Sequence, residues 1–340
     1  PLFMSKKILF LLSNRKTDTY GVTSGLFNSA TFAANFLEKS GFEVKLESVV
    51  DSNSVDRVVT AFNPDIVIVE ALWIPPAKFQ ELFKIQRHSK RRWIVRIHSK
   101  APFLANEGMA TKWIHEYTLI DEKRIEIAPN TKELVQQMEA VFPYGEFIYL
   151  PNIYEADKFK NTNKSENPNI LNVGSFGAIR PMKNTYQQAL AALDFAERED
   201  KLLRFHINST RVEQRGENVL KNLKALFDGS NHELVEHVWY KHNDFIKAAS
   251  KMDVGMQVSF SESFNIVTAD FVTAEVPIVV SDDIEWMPWI LKTSPTSHKG
   301  MIKKIGRALR WKRTVVFFQK LYLKAFNSKS KSIWFIHLRF

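Results

Sequence analysis

The sequence predicts an α/β protein with two doubly wound domains, each a parallel β-sheet wrapped by helices. The chain has 340 residues, 45% of them hydrophobic, and a single core stops growing near ~250 to 300 residues. Short apolar runs alternate with helix-length amphipathic stretches from one end to the other, which is typical of this fold class. A polar passage at 161–168 interrupts the alternation. We therefore expect two Rossmann-like halves joined by a linker.

The first domain is predicted to span residues 1–160. Its strands are the apolar runs at 8–12, 43–48, 66–70, 94–98, 125–129 and 147–150, and its helices lie near 22–40, 77–86 and 131–142. The run that opens the chain ends at Ser13 after five residues. It is therefore predicted to be a strand rather than the core of a signal peptide.

The second domain is predicted to span residues 161–312. Its strands are the runs at 170–173, 203–207, 234–239, 254–258 and 278–280, and its helices lie near 183–199, 213–228, 243–251 and 264–274. In open sheets of this kind, ligands bind outside the carboxyl ends of the strands. The residues that carry the chemistry are therefore expected in the loops that follow strands.

The last segment, 313–340, is predicted to be a basic amphipathic helix. Residues 299–340 carry 12 basic and no acidic side chains, whereas the rest of the chain is nearly neutral. Polar positions form one narrow stripe of Arg313, Gln319, Lys320 and Lys324, and apolar residues fill the remainder. Such a helix is expected to be covered, either by the protein, with a return to the first domain, or by a membrane surface.

Several classes of function are excluded or not supported. The absence of cysteine excludes disulfide scaffolds, thiolate zinc sites and cysteine nucleophiles, and fits the cytoplasmic location that we expect. No stretch approaches the ~18 to 20 apolar residues of a membrane span. The sequence contains no Asp-x-Asp, His-Glu-x-x-His, Walker or Gly-x-Ser-x-Gly motif. We therefore predict neither a metal site nor a cofactor.

The passage 254–281 carries the most specific pattern. A buried strand is predicted to end at Ser259, a loop presents Glu262, a helix begins near Phe264, and Asp270 follows Glu262 by eight positions. Two carboxylates so spaced can bind one extended polyhydroxylated ligand at separate points. The free amides at a helix start suit a phosphate.

This pattern resembles the nucleotide-sugar site of the retaining glycosyltransferases of the GT-B architecture, whose mark is Glu, seven residues, Glu and then a small-Val-Pro turn. The resemblance implies two Rossmann-like domains with a C-terminal helix that crosses back to the first. It also implies that Glu262 contacts the transferred sugar and that Asp270 binds the ribose hydroxyls. The chain departs from the family in two respects: Asp270 is one methylene shorter than Glu, and Asn265 and Glu275 stand where glycine is usual.

The start of the second domain supports the same interpretation, a nucleotide-sugar site. A predicted strand at 170–173 leads into a loop with Gly177, followed by Arg180 and Lys183 at the mouth of a helix. Backbone amides and two cations in this arrangement can bind a diphosphate. The loop resembles the first loop of the family's donor domain, in which a lysine matches Lys183.

The first domain supplies smaller matches. The loop after the first strand, with Gly21, Ser24 and Gly25, resembles the loop whose backbone approaches the donor phosphates, and His98 ends a strand as a histidine bordering the reacting sugar does in the family. The resemblance thus implies the donor-binding residues Gly21, Ser24, Gly25, Gly177, Arg180, Lys183, Glu262, Phe264, Asn265, Ile266 and Asp270.

The resemblance implies the transfer of a hexose or pentose from a UDP-linked donor, with retention and without metal. Arg180 and Lys183 would stabilise the departing diphosphate, and Glu262 and His98 would hold the sugar. His232, His237 and His242 have no ligand spacing and are expected to be surface or base-contacting residues.

The acceptor is predicted from passages such as 96–108, which are similar to glycosyltransferases of tailed bacteriophages. Some of these enzymes modify 5-hydroxymethylated pyrimidines in double-stranded DNA. A cluster of Arg91, Arg92, Trp93, Arg96 and Lys100 is expected to bind that DNA, with Trp93 or the loop 103–109 as a base-flipping wedge. A phage-encoded enzyme would act in the host cytoplasm.

Two alternatives remain open at this point. The first is a peripheral-membrane glycosyltransferase of cell-surface polysaccharide or lipopolysaccharide synthesis, whose basic tail rests on an anionic bilayer. The second is a non-catalytic module that binds a nucleotide sugar or a nucleic acid. The sequence leaves the sugar, the nucleotide base and the oligomeric state undetermined.

Overall fold

A computed structural model describes residues 6–14, 24–120, 125–163 and 167–339. The chain divides into two compact units. Unit 1 comprises residues 1–155 and 327–340, and unit 2 comprises residues 156–326. Each unit contains a six-stranded parallel sheet with helices packed on it, so the predicted fold class is confirmed. The first division falls a few residues before the predicted 160, and the second falls inside the last helix rather than at its start.

Unit 1 contains the first six strands. They are β1 (Lys7–Ser13), β2 (Glu43–Val49), β3 (Ile66–Glu70), β4 (Arg92–Ile97), β5 (Ile125–Pro129) and β6 (Glu146–Phe147). Its helices are α1 (Ser24–Lys39), α2 (Val55–Phe62), α3 (Pro76–Phe83), α4 (Gln86–Ser89), α5 (Ala101–Leu104), α6 (Ala110–Thr118) and α7 (Lys132–Val141).

The sheet of unit 1 has the order β2-β1-β3-β4-β5-β6. All five residues of β3 are buried, since helices cover both faces of the sheet. One apolar cluster lies on each face: Leu9 and Val67 belong to one, and Phe10 and Ile68 to the other. The alternation along β1 and β3 therefore feeds two core layers.

Unit 2 contains the remaining strands. They are β7 (Ile170–Gly174), β8 (Leu202–Asn208), β9 (Glu233–His237), β10 (Val254–Gln257), β11 (Ile278–Ser281) and β12 (Lys292–Thr293). Its helices are α8 (Thr185–Arg198), α9 (Glu217–Phe227), α10 (His242–Ala249), α11 (Ile266–Thr273) and α12 (His298–Arg310), and the final helix α13 (Lys312–Arg339) begins here.

The sheet of unit 2 has the order β12-β11-β10-β7-β8-β9. The chain runs outward from β7 to β9 and then returns to the other side of β7 as β10. The switch point of this sheet therefore lies between β7 and β10. Ligands of doubly wound sheets bind at such a point, outside the carboxyl ends of the strands.

Helix α13 is continuous from Lys312 to Arg339, and its residues from Asn327 onward belong to unit 1. Three residues of the predicted polar stripe, Arg313, Lys320 and Lys324, are exposed, but Gln319 is fully buried. The apolar remainder of the helix is not covered throughout, since Phe317 and Phe318 are 59% and 43% exposed. The Gln319 amide explains the burial of this residue, because it donates to Val276 O at 2.8 Å and accepts from Ile278 N at 3.4 Å. Among the described helices, none is long and apolar enough to span a membrane.

Candidate functional site

Two loops flank the switch point of unit 2, one after β7 and one after β10. The loop after β7 turns at Gly177, whose φ of +117° is a conformation that favours glycine. The Gly177 amide donates to the Asn208 side chain at 3.0 Å. A short 3₁₀ turn, Pro181–Lys183, then leads into α8. This path places Arg180 and Lys183 at the carboxyl edge of the sheet.

Hydrogen bonds tie the loop after β7 to the loop after β10. The Asn184 side-chain amide donates to Val258 O at 3.0 Å, and the Phe260 backbone amide donates to Met182 O at 2.9 Å. The Gln188 side chain donates to Lys183 O at 2.7 Å and accepts from the Val258 amide at 3.0 Å. The two loops therefore behave as one rigid platform.

On this platform the Lys183 ammonium forms an ion pair with the Glu262 carboxylate. Their side chains are only 13% and 10% exposed. Burial raises the pKa of Glu262, but the charges of Lys183 and Arg180 outweigh it and hold that pKa below its usual range. Burial and the nearby Arg180 charge lower the pKa of Lys183 against the pull of Glu262. The structure thus brings together the two residues on which the sequence prediction most depends.

Arg180 lies beside this pair but is held by a carboxylate that the sequence analysis missed. Its Nη1 is 3.4 Å from Glu213 Oε2, and Arg211 binds the other oxygen of Glu213. Glu213 follows β8, the neighbour of β7, so the pairing depends on strand order rather than on sequence spacing. Three cations, Lys183, Arg180 and Arg211, and two carboxylates, Glu262 and Glu213, are therefore paired in the loops that follow β7, β8 and β10.

The two residues on either side of α11 that stand where the family pattern has glycine adopt a backbone that glycine would provide. Asn265 has φ of 57° and Glu275 has φ of 59°, so both non-glycine departures from the family pattern occupy the left-handed region. The Asn265 side-chain Oδ1 caps α11 by accepting from the Thr268 backbone amide at 2.8 Å. Glu275 forms an ion pair with Lys320 and accepts from the Asn161 amide at 3.2 Å. These contacts offset the strain of the two residues.

Phe264 and Ile266 contribute differently from Glu262. The Phe264 ring is 4% exposed and stacks on Trp286 and Phe326, with centroids 5.6 and 5.3 Å away. Its side chain therefore supports the loop from the core of unit 2. Ile266 is the first residue of α11, so its backbone amide belongs to the helix start.

Asp270 lies inside α11 and is only 3% exposed. Its Oδ1 is 2.6 Å from His242 Nε2, at the start of α10. Burial lowers the pKa of His242, but the hydrogen bond and charge of Asp270, together with Asp157, raise it above its usual value overall. The sequence analysis expected His242 at the surface or in contact with a base and did not predict this pairing, because Asp270 lies 28 positions later on another helix.

The His242–Asp270 pair predicts a pH dependence of stability. A raised histidine pKa contributes stability that is fully present below the unfolded value near 6.5 and is lost as the pH rises through the folded pKa. We expect the stability advantage of the wild type over His242→Gln to be largest below pH 6.5 and to shrink above it. Urea unfolding at a series of pH values measures this difference. A pH-independent difference would contradict a charged pair.

In unit 1, His98 follows β4 and contacts the Glu70 carboxylate through Nε2. Glu70 is fully buried and also accepts from Arg96 Nη1 at 2.9 Å. Burial and the Arg96 charge lower the pKa of His98, although Glu70 opposes them. Burial raises the pKa of Glu70, but Arg96 and His98 outweigh it and lower that pKa overall. The cluster therefore holds a neutral, oriented imidazole at the carboxyl end of β4.

Three residues predicted to contact acceptor DNA are buried. Trp93 and Arg96 are fully buried, and Lys100 is 5% exposed and lies 3.1 Å from Glu133. The Trp93 indole donates to His88 O at 3.0 Å inside the core. The predictions for Trp93 and Arg96 are wrong because β4 is an interior strand covered on both faces, so neither of its sides meets solvent. The prediction for Lys100 is wrong because this residue, at the start of α5, is buried in an ion pair with Glu133.

Arg91 and Arg92 lie nearer the surface, but both guanidinium groups bind other residues of the protein. Arg91 binds Pro64 O and the Asn63 side chain, and Arg92 binds Glu126. Both lie before or at the amino end of β4, and six residues at about 3.3 Å each separate that end from His98, or roughly 20 Å. With Arg87 and Lys90 they line a surface cavity of about 550 Å³. This cavity thus lies at the amino end of β4, whereas His98 lies at its carboxyl end.

The remaining predicted residues follow β1. Gly21 and the side chain of Ser24 lie outside the described residues. Helix α1 begins at Ser24, so Gly25 lies in its first turn. No group of three or more His, Asp and Glu side chains that could hold a metal ion occurs in the part of the chain that the structure describes.

No protein-family model and no curated protein sequence matches this chain. Solved structures do match it. A sucrose-phosphate synthase from Thermosynechococcus elongatus is 11% identical over 98% of each chain, with a TM-score of 0.72. A UDP-forming α,α-trehalose-phosphate synthase from Burkholderia vietnamiensis is 12% identical over 97% of this chain and 98% of its own, with a TM-score of 0.69.

A third match has a donor analogue in its description: a trehalose-6-phosphate protein from E. coli bound with UDP-2-fluoro glucose. It is 11% identical over 96% of this chain and 99% of its own, with a TM-score of 0.63. At this level of identity the likeness defines the fold. The chain has the GT-B-like architecture of these enzymes.

Proposed function

We propose that this chain is a glycosyltransferase that transfers a sugar from a nucleoside diphosphate, with UDP-sugars as the first donors to test. The observation that carries the proposal is the Lys183–Glu262 ion pair at the switch point of unit 2, with Arg180 beside it. Doubly wound sheets bind phosphorylated ligands at this place. The structural neighbours described as UDP-forming or UDP-bound support the same class of donor.

In the proposed reaction the bond between the sugar's anomeric carbon and the diphosphate oxygen breaks, and a bond to the acceptor oxygen forms on the same face. The acceptor's proton passes to the departing phosphate oxygen. Lys183 and Arg180 are proposed to stabilise the charge that develops on that oxygen. In the structure, carboxylates hold both cations, so a diphosphate would exchange one anionic partner for another.

Glu262, Asp270 and His98 are proposed to hold the donor. Glu262 would accept hydrogen bonds from the sugar hydroxyls once a phosphate takes over Lys183, and Asp270 would accept from the ribose. His98 remains the proposed sugar contact from unit 1. Retention without a covalent intermediate is supported by Glu70, because this carboxylate is fully buried and bound to Arg96 and so is a poor nucleophile.

For the acceptor we propose first 5-hydroxymethylcytosine in double-stranded DNA. The exposed side chains of Arg87 and Lys90, in the cavity at the amino end of β4, support a contact with the phosphate backbone, although three of the predicted DNA contacts are buried and Arg91 and Arg92 are bound within the protein. The second candidate is a saccharide acceptor at a membrane. The exposed aromatic residues of α13 favour this candidate.

The proposal is tested by incubating the protein with several UDP-sugars and with duplex DNA that contains either 5-hydroxymethylcytosine or cytosine. Mass spectrometry of the digested nucleosides and an assay for released UDP are the two measurements. A mass increment on the modified base alone supports DNA as the acceptor. UDP release without an increment supports a saccharide or lipid acceptor. If neither UDP nor an increment appears with any donor, the chain is a non-catalytic binding module.

A further inference from the structure

Helix α13 exposes a set of large apolar side chains, here called the aromatic face, that the proposed reaction does not use. The face begins just before the helix and consists of Trp311, Phe317, Phe318, Leu321 and Tyr322, which are 59%, 59%, 43%, 45% and 42% exposed. Single exposed apolar residues are ordinary, but a contiguous set marks an interaction surface. The size of this set therefore indicates a binding surface.

The five side chains share one side of the helix. Trp311, Phe318 and Tyr322 are spaced by seven and four residues, and Phe317 and Leu321 by four, so they form two adjacent rows. The Phe317 and Phe318 rings are 5.7 Å apart. The Trp311 carbonyl accepts from the Val315 amide at 2.9 Å, which extends the helical hydrogen bonds back to Trp311. The rows thus make one continuous strip.

The opposite side of α13 fixes this strip in place. Val315, Gln319 and Leu323 are 1%, 0% and 8% exposed, and the Gln319 amide bonds to the backbone beside β11. Because this buried stripe anchors the helix to unit 2, the orientation of α13 about its own axis is fixed. The aromatic face on the other side is therefore exposed to solvent in the folded unit.

The charge around the face is positive. The chain has no Asp or Glu after Glu285, and Arg310, Lys312, Arg313 and Lys324 are exposed without an ion pair among the described residues. On the helix, Arg313 and Lys324 lie four residues before and seven residues after Phe317, beside the aromatic rows. Aromatic residues flanked by lysine and arginine fit an interface that is apolar inside and anionic at its surface.

We propose that the aromatic face docks unit 2 on an anionic phospholipid bilayer, with the aromatic rings at the level of the lipid headgroups and the cations against the lipid phosphates. A nucleic acid would use the cations but leave the Phe317 and Leu321 strip in water, so the apolar rows favour lipid. Binding does not require the transfer reaction, so it stands or falls separately from the proposed function.

The test is flotation of the full chain with vesicles of phosphatidylcholine alone or mixed with phosphatidylglycerol, without any nucleotide sugar. We expect flotation with the mixed vesicles and weaker flotation with phosphatidylcholine. The double variant Phe317→Ser/Leu321→Ser should bind about tenfold more weakly, since it removes two apolar side chains from the interface. The variant Arg313→Glu/Lys324→Glu should lose at least tenfold, because each cation contributes roughly a factor of five near an anionic surface.

Matched controls separate these effects from general changes in hydropathy and charge. Leu119→Ser/Val141→Ser removes two apolar residues of unit 1 that are at least as exposed as Phe317 and Leu321, at 62% and 63%. Lys84→Glu/Lys221→Glu makes the same change in net charge as Arg313→Glu/Lys324→Glu. Both controls should float as the wild type does, and thermal melting checks that all variants fold.

Three results would overturn the proposal. The first is flotation of the face variants equal to that of their controls. The second is tight binding of plain duplex DNA with no flotation. The third is a dimer in solution that Phe317→Ser/Leu321→Ser dissociates while the wild type ignores vesicles, which would assign the face to a second copy of the chain.

Discussion

Replacing either Lys183 by Met or Glu262 by Gln is expected to lower the rate of sugar transfer about 10²- to 10³-fold. Removal of one preorganised charge from a buried transition-state site typically has an effect of this size. Lys183 is the more important of the two for the departing diphosphate, because its ammonium sits on the platform made by the loops after β7 and β10. The measurement is the initial rate of UDP release at saturating donor.

The same variants should also have a lower free energy of unfolding. This loss of stability has to be distinguished from the loss of catalytic rate. Each single change leaves a nearly buried partner charge without its counterion, and breaking such a pair costs on the order of 3 kcal/mol. The double variant Lys183→Met/Glu262→Gln removes both charges. We expect it to recover most of the free energy of unfolding and to remain inactive.

Lys221→Met provides the control, since Lys221 is exposed on α9 and far in sequence from both loops. It should keep wild-type rate and stability. Near-wild-type turnover in both single variants would refute the assigned roles. Recovery of activity in the double variant would show that the pair serves only the fold.

The strands were predictable because their signal is local. The largely apolar runs of β3 and β5 predicted the observed bounds, Ile66–Glu70 and Ile125–Pro129. Helices α2, α4, α5, α6 and α12 were not predicted. Helix α12, for example, buries Met301, Ile305 and Ala308 between many cations, so its apolar stripe is narrow and its composition resembles a solvated tail.

The candidate site was predictable where its residues follow strands in sequence. Lys183 and Glu262 come from two such loops, and strand order brings them together. Their surroundings were not predictable, since Glu213 and His242 reach Arg180 and Asp270 only through the packing of other strands and helices. Pairings between distant segments have no periodic signature in one sequence.

Trp93 and Gln319 show two opposite errors with one cause. Trp93 looked accessible because cations flank it, yet it begins an apolar run on an interior strand. Gln319 looked exposed because it is polar, yet its amide completes the hydrogen bonding of the backbone before β11. In each case the side chain's partner, rather than its own polarity, decides its burial.

Trp334→Ala is expected to destabilise unit 1 by about 3–5 kcal/mol, the usual cost of truncating a large buried aromatic residue. Trp334 lies near the end of α13 and is fully buried. Its indole donates to Pro151 O at 2.6 Å, its ring stacks on Phe10, and the Arg96 guanidinium lies 4.7 Å from the ring centroid. The terminal turns of the chain are therefore part of the core that surrounds Glu70 and Arg96.

Hydrogen exchange measured by mass spectrometry distinguishes this local effect from global unfolding. In Trp334→Ala the amides of β1, β3 and β4 should exchange faster, whereas those of β7 and β10 should change little, because Trp334 packs only in the unit 1 core cluster. Trp289→Ala removes an indole that is 74% exposed and should change stability by no more than about 0.5 kcal/mol. Equal effects of the two changes, or faster exchange confined to β7 and β10, would show that the end of α13 does not stabilise unit 1.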